Sequence, residues 1–204
     1  DSRVEQNASK LLHHAAYGGF VDMETGFMRP YRDPSNGKYY LNYLHTPKHD
    51  NWFCPGSAAK VALQFLRAGE LLEGTKLGDD CRARGLKLAA WYRDHIKPTP
   101  NGWFPRRCYL DGRLYPYGPM GESEDKFATS SGDSLYLLWL YAQLAHEGDA
   151  SFRQLVDRPL KAFMDAGGLF ASMNHDTYDP NENVCYAVAF RVLCRIADWK
   201  LCDD

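Results

Sequence analysis

The order of apolar and polar positions along the chain predicts six helices of two kinds. Some are apolar on nearly every side, as in a helix enclosed by others, and some have one polar face. The enclosed kind is expected over residues 57 to about 72, 131 to about 145 and 184 to about 201. The two-faced kind is expected over residues 3–17, 79 to about 96 and 150–165. Their alternation predicts an all-α fold of helical hairpins in two layers.

Long loops rich in aromatic and acidic residues lead into the enclosed helices. They span residues 18–56, 101–130 and 167–183. Near the start of each loop, a glycine is followed by a large apolar residue: Gly19-Phe20, Gly102-Trp103 and Gly168-Leu169. Short connections at 73–78 and 146–149 join the other helix ends. This arrangement predicts that the long loops gather at one end of the fold, where a binding site can form.

Local signals predict where some elements begin. Asn36-Gly37 lies between two tyrosine-containing segments and predicts a small hairpin inside the first long loop. Ser57 is expected to cap the second helix, and Asp79 or Asp80 is expected to cap the third, because short polar side chains accept the first free N–H groups of a helix.

Composition narrows the classes of function. The 204 residues suit one domain, and the formal charge of −2 argues against a phosphate-binding surface, so no nucleic-acid partner is expected. No apolar run reaches the about 18 residues that a bilayer requires, so no membrane span is expected. The 6 cysteines form no CxxC pair, and we predict mostly free thiols.

The layout resembles the α/α toroid, in which inner and outer helices alternate around a ring, and within that fold the six-hairpin glycosidase group. The resemblance rests on the glycine-led loop starts and the Gly-Asp turns, and on two loop-to-helix segments, His49-Asp50-Asn51-Trp52 and Ser130-Ser131-Gly132-Asp133-Ser134. It covers essentially the whole chain. It implies inner helices that follow the long loops, and an activity on polysaccharides.

A full ring of that group has six hairpins, and this sequence supplies three. The resemblance therefore implies a half or partial ring: a single toroid-like domain over residues 1–204 that is part of a larger chain or assembly. The first and last helices would flank an open seam, and the apolar last helix would expose a large patch there. We expect a missing chain segment or a second subunit to cover that seam.

Cleavage of a glycosidic bond needs a carboxylic acid that protonates the leaving oxygen and a second carboxylate that attacks or activates water, roughly 5–10 Å away. The candidate catalytic residues are Asp50 in the first loop, Glu124 in the second and Asp133 at the start of the fourth helix. Each has a structural alternative. Asp50 can organise the turn before its helix, Asp133 can cap its helix, and Glu124 belongs to an acidic cluster of the kind found on solvated surfaces.

Aromatic faces stack on sugar rings, while arginine binds hydroxyls or uronate carboxylates. The residues expected to bind substrate are Trp52, Trp103, Arg107, Tyr117, His175 and Tyr178. The two tryptophans can equally be loop anchors that pack on helix ends, and the arginine can bind loop carbonyls.

We predict a carbohydrate-active enzyme, a glycoside hydrolase that acts on an oligosaccharide or polysaccharide through paired loop carboxylates. Two alternatives stay open: a polysaccharide lyase acting on uronates, and a non-catalytic helical-repeat module that binds through its loops. No cofactor or metal is expected, because His45 and His49 have no marked third ligand, and a nucleophilic Cys54 or Cys108 would need a positioned base. An extracytoplasmic location, secreted or periplasmic, is favoured.

Overall fold

Helices dominate the computed structural model, which describes residues 2–41, 50–98, 104–105, 107–113, 115 and 131–165. The helices are α1 (Ser2–Tyr17), α2 (Pro55–Leu71), α3 (Lys76–His95), α4 (Ser131–His146) and α5 (Arg153–Asp165), with a 3₁₀ turn at Ala150–Phe152. The prediction of an all-α fold is confirmed. The third predicted loop and the last predicted helix lie outside the described residues.

Two short antiparallel ribbons lie in the first two long loops. In the first, β1 (Tyr31–Arg32) pairs with β2 (Tyr39–Tyr40), which confirms the hairpin predicted around Asn36-Gly37. In the second, β3 (Trp52–Phe53) pairs with β4 (Cys108–Tyr109), with Trp52 opposite Tyr109. The second ribbon joins residues more than fifty positions apart, which no local pattern could predict.

The start of α2 differs from the prediction. The helix begins at Pro55, because proline suits the first helical position, where no N–H is needed. The carbonyl of Cys54 accepts the N–H of Ala58 at 3.1 Å and closes the first turn. The expectation that Ser57 caps this helix is therefore wrong, since Ser57 already lies inside it.

The start of α3 also lies earlier than predicted. The helix begins at Lys76, and the hydroxyl of Thr75 accepts the N–H of Gly78 at 3.1 Å. Thr75 is thus the N-cap, and Asp79 and Asp80 lie in the first turns of the helix, where carboxylates are favoured by the helix dipole. Threonine and aspartate are both favoured N-cap residues, so the residue types alone do not distinguish a start after Thr75 from a later one.

The helices pair as the predicted hairpins. α2 and α3 approach closely at a glycine, since a Cβ on Gly85 would lie 2.9 Å from Cδ2 of Leu66. α4 packs against α5 and is enclosed over residues 137–144, where every side chain except the half-buried Trp139 is buried. α2 is less enclosed than predicted. It exposes a polar stripe made of Ser57, Lys60, Gln64 and Arg67.

The chain divides into two compact units. Unit 1 comprises Asp1–Asn51 and Val61–Trp91, and unit 2 comprises Trp52–Lys60 and Tyr92–Asp204. A single toroid-like domain over residues 1–204 remains a prediction.

In unit 1, α1 is attached to α3 through the carboxylate of Asp80. The ammonium of Lys76 donates to this carboxylate at 2.6 Å and the hydroxyl of Tyr17 donates to it at 2.5 Å. These hydrogen bonds lower the pKa of Asp80, and the bond to Asp80 raises the pKa of Tyr17. The guanidinium of Arg84 lies 5.1 Å from the centre of the Tyr17 ring. The C-terminal end of α1 is therefore fixed to α3 by charge as well as by packing.

In unit 2, the turn that follows β4 rests on the end of α3. Gly112 has φ +82°, and a Cβ there would lie 2.1 Å from the backbone carbonyl oxygen of His95. Its N–H donates to the carbonyl of Tyr109 at 3.0 Å, which closes the turn. Only glycine combines this backbone conformation with this close approach. Because this turn directly follows β4, it positions the end of β4 near the end of α3.

We expect Gly112→Ala to lower the free energy of unfolding by about 2–4 kcal/mol, from the left-handed conformation and from the collision with the His95 carbonyl. Gly74→Ala is the matched control, because Gly74 has φ +79° and no neighbouring atom within 4 Å. It should cost only about 1–2 kcal/mol. Denaturant unfolding of both variants measures the difference. Equal losses would show that the close approach to α3 is unimportant.

Candidate functional site

Asp50 closes the hairpin formed by β1 and β2. Its Oδ1 accepts the backbone N–H of Leu41 at 2.6 Å, and its Oδ2 forms an ion pair with Nη1 of Arg29. Arg29 lies two residues before β1, and Leu41 directly follows β2, so one carboxylate holds both ends of the hairpin. The side chain of Asp50 keeps 20% of its surface exposed. It is therefore fixed at both oxygens and still reachable from solvent.

The other loop aspartates described by the structure have local partners. Asp22 accepts the N–H of Glu24 and the hydroxyl of Thr25, both at 2.8 Å, and Asp33 accepts the N–H of Ser35 at 2.8 Å. The Thr25 hydroxyl is the main cause that lowers the pKa of Asp22. These contacts span two or three residues and are Asx turns. They use the carboxylates to shape the backbone.

Asp111 and Asp149 follow the same local pattern. Asp111 accepts the N–H of Arg113 at 3.0 Å, and Asp149 accepts the N–H of Ser151 at 3.0 Å. Hydrogen bonds from these partners lower the pKa of both carboxyls. Asp50 differs, because its partners lie 9 and 21 residues earlier in the chain. Unlike the short-range contacts shown above for the other loop aspartates, the contacts of Asp50 form only when distant parts of the chain come together.

Trp52 and Arg107 form a buried cluster with Tyr115 in unit 2. Trp52 is 1% exposed, and its ring lies 5.3 Å from that of Tyr115 at an interplanar angle of 31°. Arg107 is 5% exposed, with its guanidinium 5.3 Å from the centre of the Trp52 ring. The N–H of Tyr115 donates to the carbonyl of Arg107 at 3.1 Å. A cation over the indole ring and a tilted tyrosine ring beside it stabilise this cluster.

Burial bears directly on the two alternatives for Trp52. A ring that is 1% exposed offers no open face to a sugar, which favours the loop-anchor interpretation. Half-buried Tyr115 and Tyr109 lie at the outside of the cluster, with their ring centres 5.1 Å apart. Arg113 lies over Tyr109 at 5.3 Å. A substrate that contacted this part of unit 2 would therefore meet the half-buried tyrosines and not the buried tryptophan.

The remaining candidates can be placed only in part. α4 begins at Ser131, so Asp133 lies in the first turn of this helix, as expected, while its side chain lies outside the described part. Five further predicted residues fall outside the described ranges: Glu124, Trp103, Tyr117, His175 and Tyr178. Their roles stay predictions.

Arg29 and Tyr109 are two residues that the sequence alone did not point to. Arg29 stands between Met28 and Pro30 in a loop, in no periodic pattern and 21 positions from Asp50. Tyr109 was missed as well, because its pairing with Trp52 exists only once β3 and β4 meet. Spacing alone carries no signal for either residue.

Cysteine and metal chemistry find no support in the described ranges. Cys54, Cys81 and Cys108 are thiols, and burial raises the pKa of Cys108 well above its usual value. A thiol that stays protonated is a poor nucleophile. Within the same ranges, no three His, Cys, Asp or Glu side chains gather as metal ligands would. No helix in this part of the chain has both the length and the apolar character to cross a membrane.

Comparison with known proteins gives structural likeness only. No protein-family model matches the chain, and no curated protein matches it. It is similar in structure to an endo-β-1,2-glucanase from Chitinophaga pinensis in complex with sophorotriose and glucose, at 15% identity and a TM-score of 0.44, over 76% of this chain and 35% of that one. It is also similar to a predicted glucoamylase from Bacteroides caccae, at 15% identity and a TM-score of 0.42, over 85% of this chain and 42% of that one.

The chain thus spans less than half the length of either structure. At this level of identity the likeness concerns the fold alone.

We expect iodoacetamide at neutral pH to modify the half-buried Cys54 at least about tenfold faster than Cys108, because a raised thiol pKa reduces the thiolate fraction tenfold per unit. Peptide-resolved mass spectrometry over a time course measures both rates in one sample. Cys81, also buried, serves as an internal control and should react slowly. Fast modification of Cys108 would reopen the question of a cysteine nucleophile.

Proposed function

We propose that this chain belongs to a glycoside hydrolase and that Asp50 is the charged member of its carboxylate pair. The observation that carries the proposal is the way Asp50 is fixed. Both of its oxygens have long-range partners, and a fifth of the side chain stays exposed. Catalytic groups need this combination, because the reacting atom must be both oriented and accessible.

The role of Asp50 follows from its hydrogen bonds. Both of its oxygens already accept a donor, one from the Leu41 N–H and one from the Arg29 guanidinium, so the side chain is not placed to donate a proton. This suits the base that activates water or the nucleophile that attacks the sugar, while the proton donor must be a second carboxyl group. Glu124 and Asp133 are the proposed donors. Trp103, Tyr117, His175 and Tyr178 remain the proposed substrate contacts.

The proposed roles of Trp52 and Arg107 change with their burial. We propose that both residues support the half-buried Tyr115, whose ring centre lies 5.3 Å from that of Trp52. A lyase would need an arginine that reaches the uronate carboxylate. Arg107 is 5% exposed and faces an indole ring, so this observation favours the hydrolase over the lyase.

The proposed partners are an oligosaccharide or polysaccharide and a segment or second subunit that covers the seam. Val4 and Leu11, on α1, are exposed apolar side chains. They lie on the helix that the toroid resemblance places at the seam.

Asp50→Asn should lower hydrolysis by about 10²–10⁴-fold, because an amide neither accepts a proton at neutral pH nor attacks the sugar. The variant should still fold, since a partly exposed ion pair contributes little to stability and the amide oxygen can still accept the Leu41 N–H. Release of reducing ends from β-1,2-glucan, other neutral glucans and uronate-containing oligosaccharides measures the activity.

Asp33→Asn is the matched control, because Asp33 lies in the same loop and asparagine forms the same kind of turn. Its activity should equal that of the wild type. Undiminished cleavage by Asp50→Asn would contradict the proposed role of Asp50. Binding without cleavage by the wild type would favour the binding module.

A further inference from the structure

The carboxylate of Asp50 is held by two donors of different kinds. The N–H of Leu41 belongs to the backbone beside β2, and Leu41 is itself 1% exposed, so this donor is rigid. A single hydrogen bond still lets the carboxylate rotate about the donor–acceptor line. The second donor, Nη1 of Arg29, binds the other oxygen and removes that freedom.

Arg29 is well placed to supply a fixed second contact. Its backbone N–H donates to the carbonyl of Phe20 at 2.9 Å, and the next residue is Pro30, whose ring restricts the backbone. Its long side chain therefore starts from an anchored backbone. The guanidinium is also a rigid planar group, so its Nη1 donor has a fixed direction, whereas the ammonium of lysine is a compact charge on a flexible stem.

The exposure of the pair indicates what the contact is for. The side chain of Arg29 keeps 39% of its surface exposed, and ion pairs in contact with solvent contribute little to stability. The hairpin also has its own ladder and the Leu41 bond to hold it. The main effect of the guanidinium is therefore on the orientation of the carboxylate.

We propose that Arg29 is a positioning residue that fixes the plane of the Asp50 carboxylate for attack or proton transfer, an inference that rests on the proposed hydrolase function. It makes no claim that Arg29 touches the sugar. Loss of Arg29 should free the carboxylate to rotate about the Leu41 hydrogen bond.

The test compares Arg29→Gln, Arg29→Lys and Arg32→Gln. Arg32 is the matched control, because it is exposed, lies three residues away and has its guanidinium 6.0 Å from the Tyr39 ring. For Arg29→Gln we expect kcat to fall by roughly 10–100-fold, as for a small misplacement of a reacting group, with KM unchanged within about twofold. Arg29→Lys should recover part of kcat, and Arg32→Gln should match the wild type.

Hydrogen exchange at the Leu41 amide gives a readout that does not depend on activity. If Arg29 orients Asp50, this amide should exchange about tenfold faster in Arg29→Gln, as its acceptor becomes less well held, and should be unchanged in Arg32→Gln. The melting temperature should stay close to that of the wild type.

The outcomes separate this inference from the proposed function. Loss of cleavage in Asp50→Asn with full kcat in Arg29→Gln would overturn the positioning role and leave the hydrolase standing. Full cleavage in Asp50→Asn would overturn the proposed role of Asp50 and the inference together, because a carboxylate that is not needed for cleavage has no catalytic orientation for Arg29 to fix. A fall in melting temperature that accounts for the lost activity would assign Arg29 a structural role and also overturn the inference.

Discussion

In the described part of the first long loop, one carboxylate joins the two ends of the hairpin. Asp50 binds Arg29 before β1 and the Leu41 amide after β2, so a single side chain closes the hairpin that the loop contains. Because both oxygens are engaged, the geometry of the carboxylate is as well defined as that of the hairpin.

This constraint distinguishes two uses of aspartate in the same loop. Asp22 and Asp33 accept the N–H groups of their own turns, each from a residue two positions away. Asp50 is satisfied only by the folded hairpin. A structural and a catalytic role do not exclude each other here, since a side chain that is held by the fold and remains partly exposed meets the geometric requirement for catalysis.

Much of the fold could be predicted from the sequence, because helices and tight turns leave local signals. The 3.6-residue period predicted α1 and α5 closely, a run of apolar residues predicted α4, and Asn36-Gly37 predicted the hairpin. The predicted starts of α2 and α3 were wrong, because several nearby residues of each segment can cap a helix. In the structure, the first turns are closed by the carbonyl of Cys54 and the hydroxyl of Thr75.

The site was harder to predict for a physical reason. Its contacts are tertiary: Arg29 meets Asp50 across 21 residues, and Tyr109 meets Trp52 across a ribbon. Composition also cannot tell a tryptophan that stacks on a sugar from one that anchors a loop, and only its burial separated them.

The most direct test of the account is a crystal structure of the chain with an uncleavable neutral oligosaccharide. The account predicts that an oxygen of Asp50 lies within about 3.5 Å of the anomeric carbon, or one ordered water away from it, with the contacts to Arg29 and Leu41 intact. A sugar bound elsewhere, with every glycosidic oxygen more than about 10 Å from Asp50, would contradict the central claim.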